Sequence, residues 1–172
     1  MRSLVSLTLA LGLTLRAFAA PDVGSLLTAE TIVIADPLQK MLAGNYGSEE
    51  AQVLQQAISD SVARAAKRAG IAPGATPRTE VLLSDARPSH PTRHQQSTNP
   101  SIDPVRSISL GGANLSAVLR AADGTELERV SFDHYASSLQ EASSSLDPWS
   151  DARLTIDRFA DRLVQAYRRH QH

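Results

Sequence analysis

The 172-residue chain carries 17 basic and 18 acidic side chains, 5 histidines and no cysteine. Without cysteine there are no disulfides, thiol nucleophiles, thiolate metal sites or lipid-modified cysteines. A formal charge of −1 leaves no basic excess to hold nucleic acid by counterion release.

The first twenty residues, MRSLVSLTLALGLTLRAFAA, have a basic start at Arg2, an apolar stretch from Leu4 to Leu15 and small residues at Ala17 and Ala19. This layout predicts a signal peptide over residues 1–19, cut after Ala19. At about a dozen residues the apolar stretch is shorter than the roughly twenty a membrane span needs, which argues against an uncleaved anchor. Loss of Arg2 and Arg16 lowers the basic count from 17 to 15 against 18 acids, a formal charge of −3 for residues 20–172. A chain of that length is one domain with an adequate core.

TIVIAD, residues 31–36, is a β-branched run stopped by Pro37 and is expected to be a buried strand. The segment 37–50 is expected to be a connection ending at an N-cap, Ser48, with Glu49 and Glu50 in the first turn of a helix that runs to about Ala69. Ala51, Leu54, Ile58, Val62, Ala65 and Ala69 form its apolar stripe, and Gly70 stops it. The stripe fits packing on a sheet better than a partner-binding face. IAPGATPR, residues 71–78, is a loop by its prolines and glycine, and Thr79 to Ala86 is the second strand.

Prolines at 88, 91, 100 and 104 predict a stretch that is neither helix nor central strand. From Arg106 a period-two pattern through Ile108, Leu110, Ala113, Leu115, Ala117 and Leu119 predicts one long strand, bent or bulged at Gly111-Gly112. Asp123-Gly124 turns it into an antiparallel return, TELERVSFDHY, with Val130, Phe132 and His134 on one face. The serine-rich segment 136–146 is expected to be loop. Asp147 caps a last helix with Pro148 at its first position, and Ala152, Ile156, Phe159, Ala160, Leu163 and Tyr167 mark its buried face. The order strand, helix, strand, loop, strand, strand, helix predicts a single α+β domain. Its mostly antiparallel sheet of about four strands carries two longer helices on one face.

Most of the chain from about Thr31 onward resembles a family of uncharacterised exported proteins of Gram-negative bacteria. The resemblance rests on DARPSHPTRHQQSTNP, the GGA of the hairpin and DPWSDARLTIDRFADRL. It implies a periplasmic location and no particular activity. The element order is more distantly similar to small envelope-accessory domains, many of which carry a lipidated cysteine that this chain lacks.

The segment DARPSHPTRHQQSTNP, residues 85–100, concentrates the chemistry-bearing side chains. Arg87, His90, Arg93 and His94 form a candidate binding loop for an envelope protein or an anionic envelope component, since guanidinium groups suit carboxylate and phosphate. The competing structural role is pairing of these arginines with Asp85 or Asp103 to pin the loop. Covering a sheet edge is a third role for the prolines. An enzyme would instead need His90, His94 and Asp85 to converge, on a zinc ion or as hydrolytic groups. No G-x-S-x-G or phosphate-cradling loop is present. Asp133 and His134, adjacent on a strand, point to opposite faces and make no triad. Trp149 reads as a core clamp rather than a ligand platform, and Asp151 as a charge favoured by the helix dipole. The leading expectation is a non-enzymatic binding module with no cofactor.

Overall fold

The computed structural model describes residues 31–71 and 78–170. The expected signal peptide, most of the 71–78 loop and His172 lie outside the described residues. Alternation of inward and outward residues builds four strands: β1 (Thr31–Ile34), β2 (Arg78–Arg87), β3 (Gly112–Arg120) and β4 (Glu126–Tyr135). They form one sheet in the order β1-β2-β3-β4, with β1 parallel to β2 and both remaining pairs antiparallel.

Two long helices, α2 (Glu50–Arg68) and α4 (Ser150–Arg169), lie on one face of this sheet and make the α+β architecture. Leu54, Ile58 and Val62 of α2 meet Ile156, Phe159, Leu163 and Tyr167 of α4 over Leu83, Leu115 and Leu119, all fully buried. Each such side chain contributes about 1.5–3 kcal/mol relative to exposure. On the outer rim of the helix pair, Arg64 reaches Asp157 at 3.0 Å and Arg68 reaches Asp161 at 2.8 Å. These exposed pairs fix register more than they add stability.

Several boundaries differ from the sequence reading. The segment after β1 is not plain connection: Asp36–Met41 is a short helix, α1, followed by a π-helical turn over Leu42–Tyr46. Pro37 opens α1 because its missing amide is no loss in a first turn, and Leu38 and Leu42 bury the inner side. Glu49, not Ser48, occupies the N-cap position of α2, and the Ser48 hydroxyl donates to the Glu49 carboxylate instead. Helix α4 starts at Ser150, while Asp147 accepts from the Trp149 amide one step earlier. Gly70 has φ +70°, the conformation that ends α2.

Two larger corrections concern the loop and β3. A helix does form between Pro91 and Pro100: α3 (Arg93–Thr98) is closed by a reciprocal capping box of Thr92 and Gln95. The predicted long strand from Arg106 begins only at Gly112, and Ile108 and Leu110 turn outward, 44% and 41% exposed. No bulge occurs at the glycines. One lies in β2 instead, where the register shifts between Leu83 and Asp85. Strict alternation from Thr79, Val81 and Leu83 would drive Asp85 and Arg87 into the core. The extra residue, Ser84, rephases the strand so that Ala86 stays buried and Arg87 turns out.

Candidate functional site

The bulge places Asp85 and Arg87 on the sheet face away from the helices, Arg87 level with Gly112 of β3 and Tyr135 of β4, and Asp85 level with Asn114 and Asp133. Tyr135 donates its phenolic hydrogen to Asp85 Oδ2 at 2.7 Å, reaching from β4 to β2 past the intervening glycine. A Cβ at Gly112 would lie 2.6 Å from the Tyr135 ring and 2.2 Å from the His134 carbonyl oxygen, so only glycine leaves room for this crossing. Arg87 Nε sits 3.3 Å from the same Asp85 oxygen, with its guanidinium carbon 5.0 Å from the centre of the Tyr135 ring. Burial, the hydrogen bond to Asp85 and the Asp85 charge together push the Tyr135 phenol far above its ordinary range. Burial and the Asp85 charge raise Tyr46 as well, against the opposing charge of Arg87.

Arg87 thus has one edge on a carboxylate and one face on an aromatic ring, and its side chain is still 62% exposed. It opens onto a cleft of about 340 Å³ walled by Tyr46, His90, Gln95, Ile102, Ile108 and Leu110, among others. The π-turn supplies Tyr46, α3 supplies Gln95, and the irregular 99–111 segment supplies the aliphatic wall.

The loop behind this cleft is built like a core in polar residues. Ser89 is fully buried, and its amide donates to the Pro148 carbonyl at 2.8 Å while its own carbonyl accepts from the Ser109 amide. Thr92, also fully buried, donates to the Tyr46 carbonyl at 2.5 Å. His90 is buried, with Nδ1 3.3 Å from the Pro104 carbonyl oxygen. A carbonyl only accepts, so Nδ1 carries the hydrogen and the lone pair of the neutral ring lies on Nε2. That atom is buried and has no hydrogen-bond partner.

Of the four expected site residues, Arg87 and His90 line the same cleft. Arg93 is exposed at the start of α3, and His94 packs its Cβ against Gly47 on another side of that helix. Asp85 is committed to Tyr135 and Arg87, and His90 to Pro104, so Asp85, His90 and His94 do not converge. Among the described residues no group of three His, Asp or Glu side chains is placed to hold a metal ion. Of the expected pinning pairs, Arg87 with Asp85 is present; Asp103 is met at 3.8 Å by Arg106 rather than by Arg93. Asp133 and His134 point apart, and His134 Nε2 lies 3.4 Å from Glu141.

Sequence reasoning did not reach Tyr46 or Tyr135. The signal for Tyr46 was present in Asp36-Pro37 followed by Leu38, Met41 and Leu42, a helix start with three-to-four apolar spacing. No local signal marks Tyr135, whose partner lies two strands away. Trp149 is a core clamp: it is 1% exposed, donates to Glu50 Oε2 at 2.6 Å and meets Tyr46 edge to face at 5.7 Å. Asp151 does more than suit the dipole. It is buried and accepts from the Ser143 amide at 2.8 Å, tying the serine-rich loop to α4. No protein-family model, curated protein or solved structure matches this chain significantly.

Proposed function

We propose that this chain is an exported, periplasmic accessory module of the cell envelope. In this reading it binds an envelope protein or an anionic envelope component without catalysis, through the cleft beside Arg87. The observation that carries the reading is the pairing of an oriented, exposed guanidinium with an outward aliphatic wall. Asp85 and Tyr135 hold Arg87, and Ile108 and Leu110 stand beside it in solvent. Fixing the guanidinium in advance lowers the entropy cost of meeting a carboxylate or phosphate. Aliphatic groups exposed together on an ordered loop suit the apolar part of the same ligand. His90 Nε2 adds a buried acceptor beside the cleft wall that a ligand N–H or O–H would satisfy.

Export is read from the N-terminal layout, and the sequence has no cysteine thiol to carry a lipid. Among the described residues no helix is long and apolar enough to cross a membrane.

The test is site-specific photo-crosslinking from position 108 in Gram-negative cells expressing the full chain. The expected result is a discrete adduct with an envelope component, formed by the parent chain and lost in Arg87→Glu. Absence of any adduct, or one that Arg87→Glu leaves unchanged, would overturn the proposal. The mass of the N-terminus of the recovered protein reports export separately, with cleavage after Ala19 expected.

A further inference from the structure

A second set of unused groups lies along β4 and α4, on residues that do not line the cleft. Strand β4 is the last strand of the sheet, so its outer edge has no neighbouring strand among the described residues. The Ala136 amide donates to the Gly111 carbonyl at 2.9 Å, which fixes the phase of the β3–β4 ladder. Hydrogen-bonded and non-hydrogen-bonded pairs alternate from there. Arg129, Ser131 and Asp133, opposite Val118, Ser116 and Asn114, therefore fall in non-hydrogen-bonded pairs and turn their amides and carbonyls to the outer edge.

Beside that edge runs a groove of about 640 Å³ between β4 and the exposed flank of α4. Arg158, Arg162 and Arg169 line it at helical spacing. The carboxylates of the groove are already engaged: Asp161 by Arg68, and Glu128 by Arg169 and His170. Arg162 lies over the Phe132 ring at 4.3 Å, and Arg158 acts on Glu141 only through its field. Neither of these two arginines forms an ion pair among the described residues.

We propose that the β4 edge and the Arg158–Arg162 row form a strand-addition site for an extended acidic segment of a partner protein. Its backbone would pair with Arg129, Ser131 and Asp133. Alternate side chains would face the α4 side, where glutamate or aspartate would meet Arg158 and Arg162. Charge decides against a second copy of this chain as the occupant. Pairing β4 with β4 about a two-fold axis would set two such arginine rows side by side.

The test uses the full chain and a fluorescent peptide matched to the 10 residues of β4, with glutamate alternating with threonine, against the same peptide with lysine for glutamate. Fluorescence anisotropy is expected to detect saturable binding of the glutamate peptide only, weakened about tenfold or more by Arg158→Glu with Arg162→Glu. Ser131→Pro removes an outward amide that serves no bond to β3, so it is expected to abolish binding while circular dichroism stays unchanged. Should that variant misfold, protection of the Arg129, Ser131 and Asp133 amides from hydrogen exchange on peptide binding reads the same contact. No saturable binding, equal binding of the lysine peptide, or binding indifferent to Ser131→Pro in a folded variant would overturn the proposal. Self-association of the chain that Ser131→Pro abolishes would overturn it too, giving the edge to a second copy.

Discussion

The two halves of the segment between β2 and β3 invert the usual rule of burial. In the first half, Ser89, His90 and Thr92 are polar and buried; in the second, Val105, Ile108 and Leu110 are aliphatic and between 41% and 59% exposed. Buried polar groups are tolerated when their hydrogen bonds are made, and here Pro148, Pro104 and Tyr46 supply carbonyls from three different parts of the chain. The second half buries little and is held largely by its own turns, such as Asp103 accepting from the Val105 and Arg106 amides. One half is therefore scaffold and the other is surface, although both read alike as proline-rich loop. Arg87 stands at their junction, oriented by the scaffold and presented beside the surface.

The largest expected effect comes from the residue on which this junction rests. Gly112→Ala puts a methyl group 2.2 Å from the His134 carbonyl oxygen and 2.6 Å from the Tyr135 Cα, so the β4 backbone itself must shift. It is expected to cost about 3 kcal/mol or more in a urea denaturation curve, through overpacking at backbone. An unchanged midpoint would mean that β3 and β4 pair loosely enough at Gly112 to admit a methyl group.

Thr92→Val tests the scaffold half directly. It strands the Tyr46 carbonyl and the Gln95 amide without changing side-chain shape much, and a loss of about 1–3 kcal/mol is expected. The same denaturation experiment measures it, and a neutral result would show that water replaces those bonds.

Asp85→Asn is expected to cost less, about 1 kcal/mol, because the amide oxygen still accepts from Tyr135. Its clearer signature is in the ultraviolet titration of the tyrosines. Removing the negative charge lowers the Tyr135 phenol toward the ordinary value of 10.0, so more phenolate forms near that pH than in the parent. The sign for stability follows from linkage: the folded value lies above the unfolded one, so the contribution is whole below pH 10 and declines as the pH rises beyond it. A titration identical in the two proteins would remove Asp85 as a contributor and leave burial as the cause.

The smallest effect on folding is expected in the surface half. Ile108→Ser with Leu110→Ser touches exposed side chains, so stability is expected to stay within about 0.5 kcal/mol for each change. Crosslinking from Ile102, inside the same cleft, is expected to fall. A large stability loss with no change in crosslinking would reverse the assignment of the two halves.

Much of the scaffold was legible in the residues themselves. The stripe of α4 needed only its spacing: Ala152, Ile156, Phe159, Ala160, Leu163 and Tyr167 are all fully buried. The hairpin needed alternation and Asp123-Gly124, and Gly124 indeed takes φ +89°. These features are local, because helical and strand periods are properties of neighbouring residues.

The candidate site was legible only in part, since Arg87 and His90 share a wall while Arg93 and His94 do not. Period two alone ran Ile108 and Leu110 into β3, because alternation cannot distinguish a strand from an exposed segment of the same pattern. The sequence by itself determined the stripes of the two long helices, the hairpin turn and the α+β class. Tertiary structure decided the bulge at Ser84, the reach of Tyr135 over Gly112 and the outward turn of the aliphatic wall. Each of those depends on which backbone lies opposite, a relation between residues tens of positions apart that no local pattern encodes.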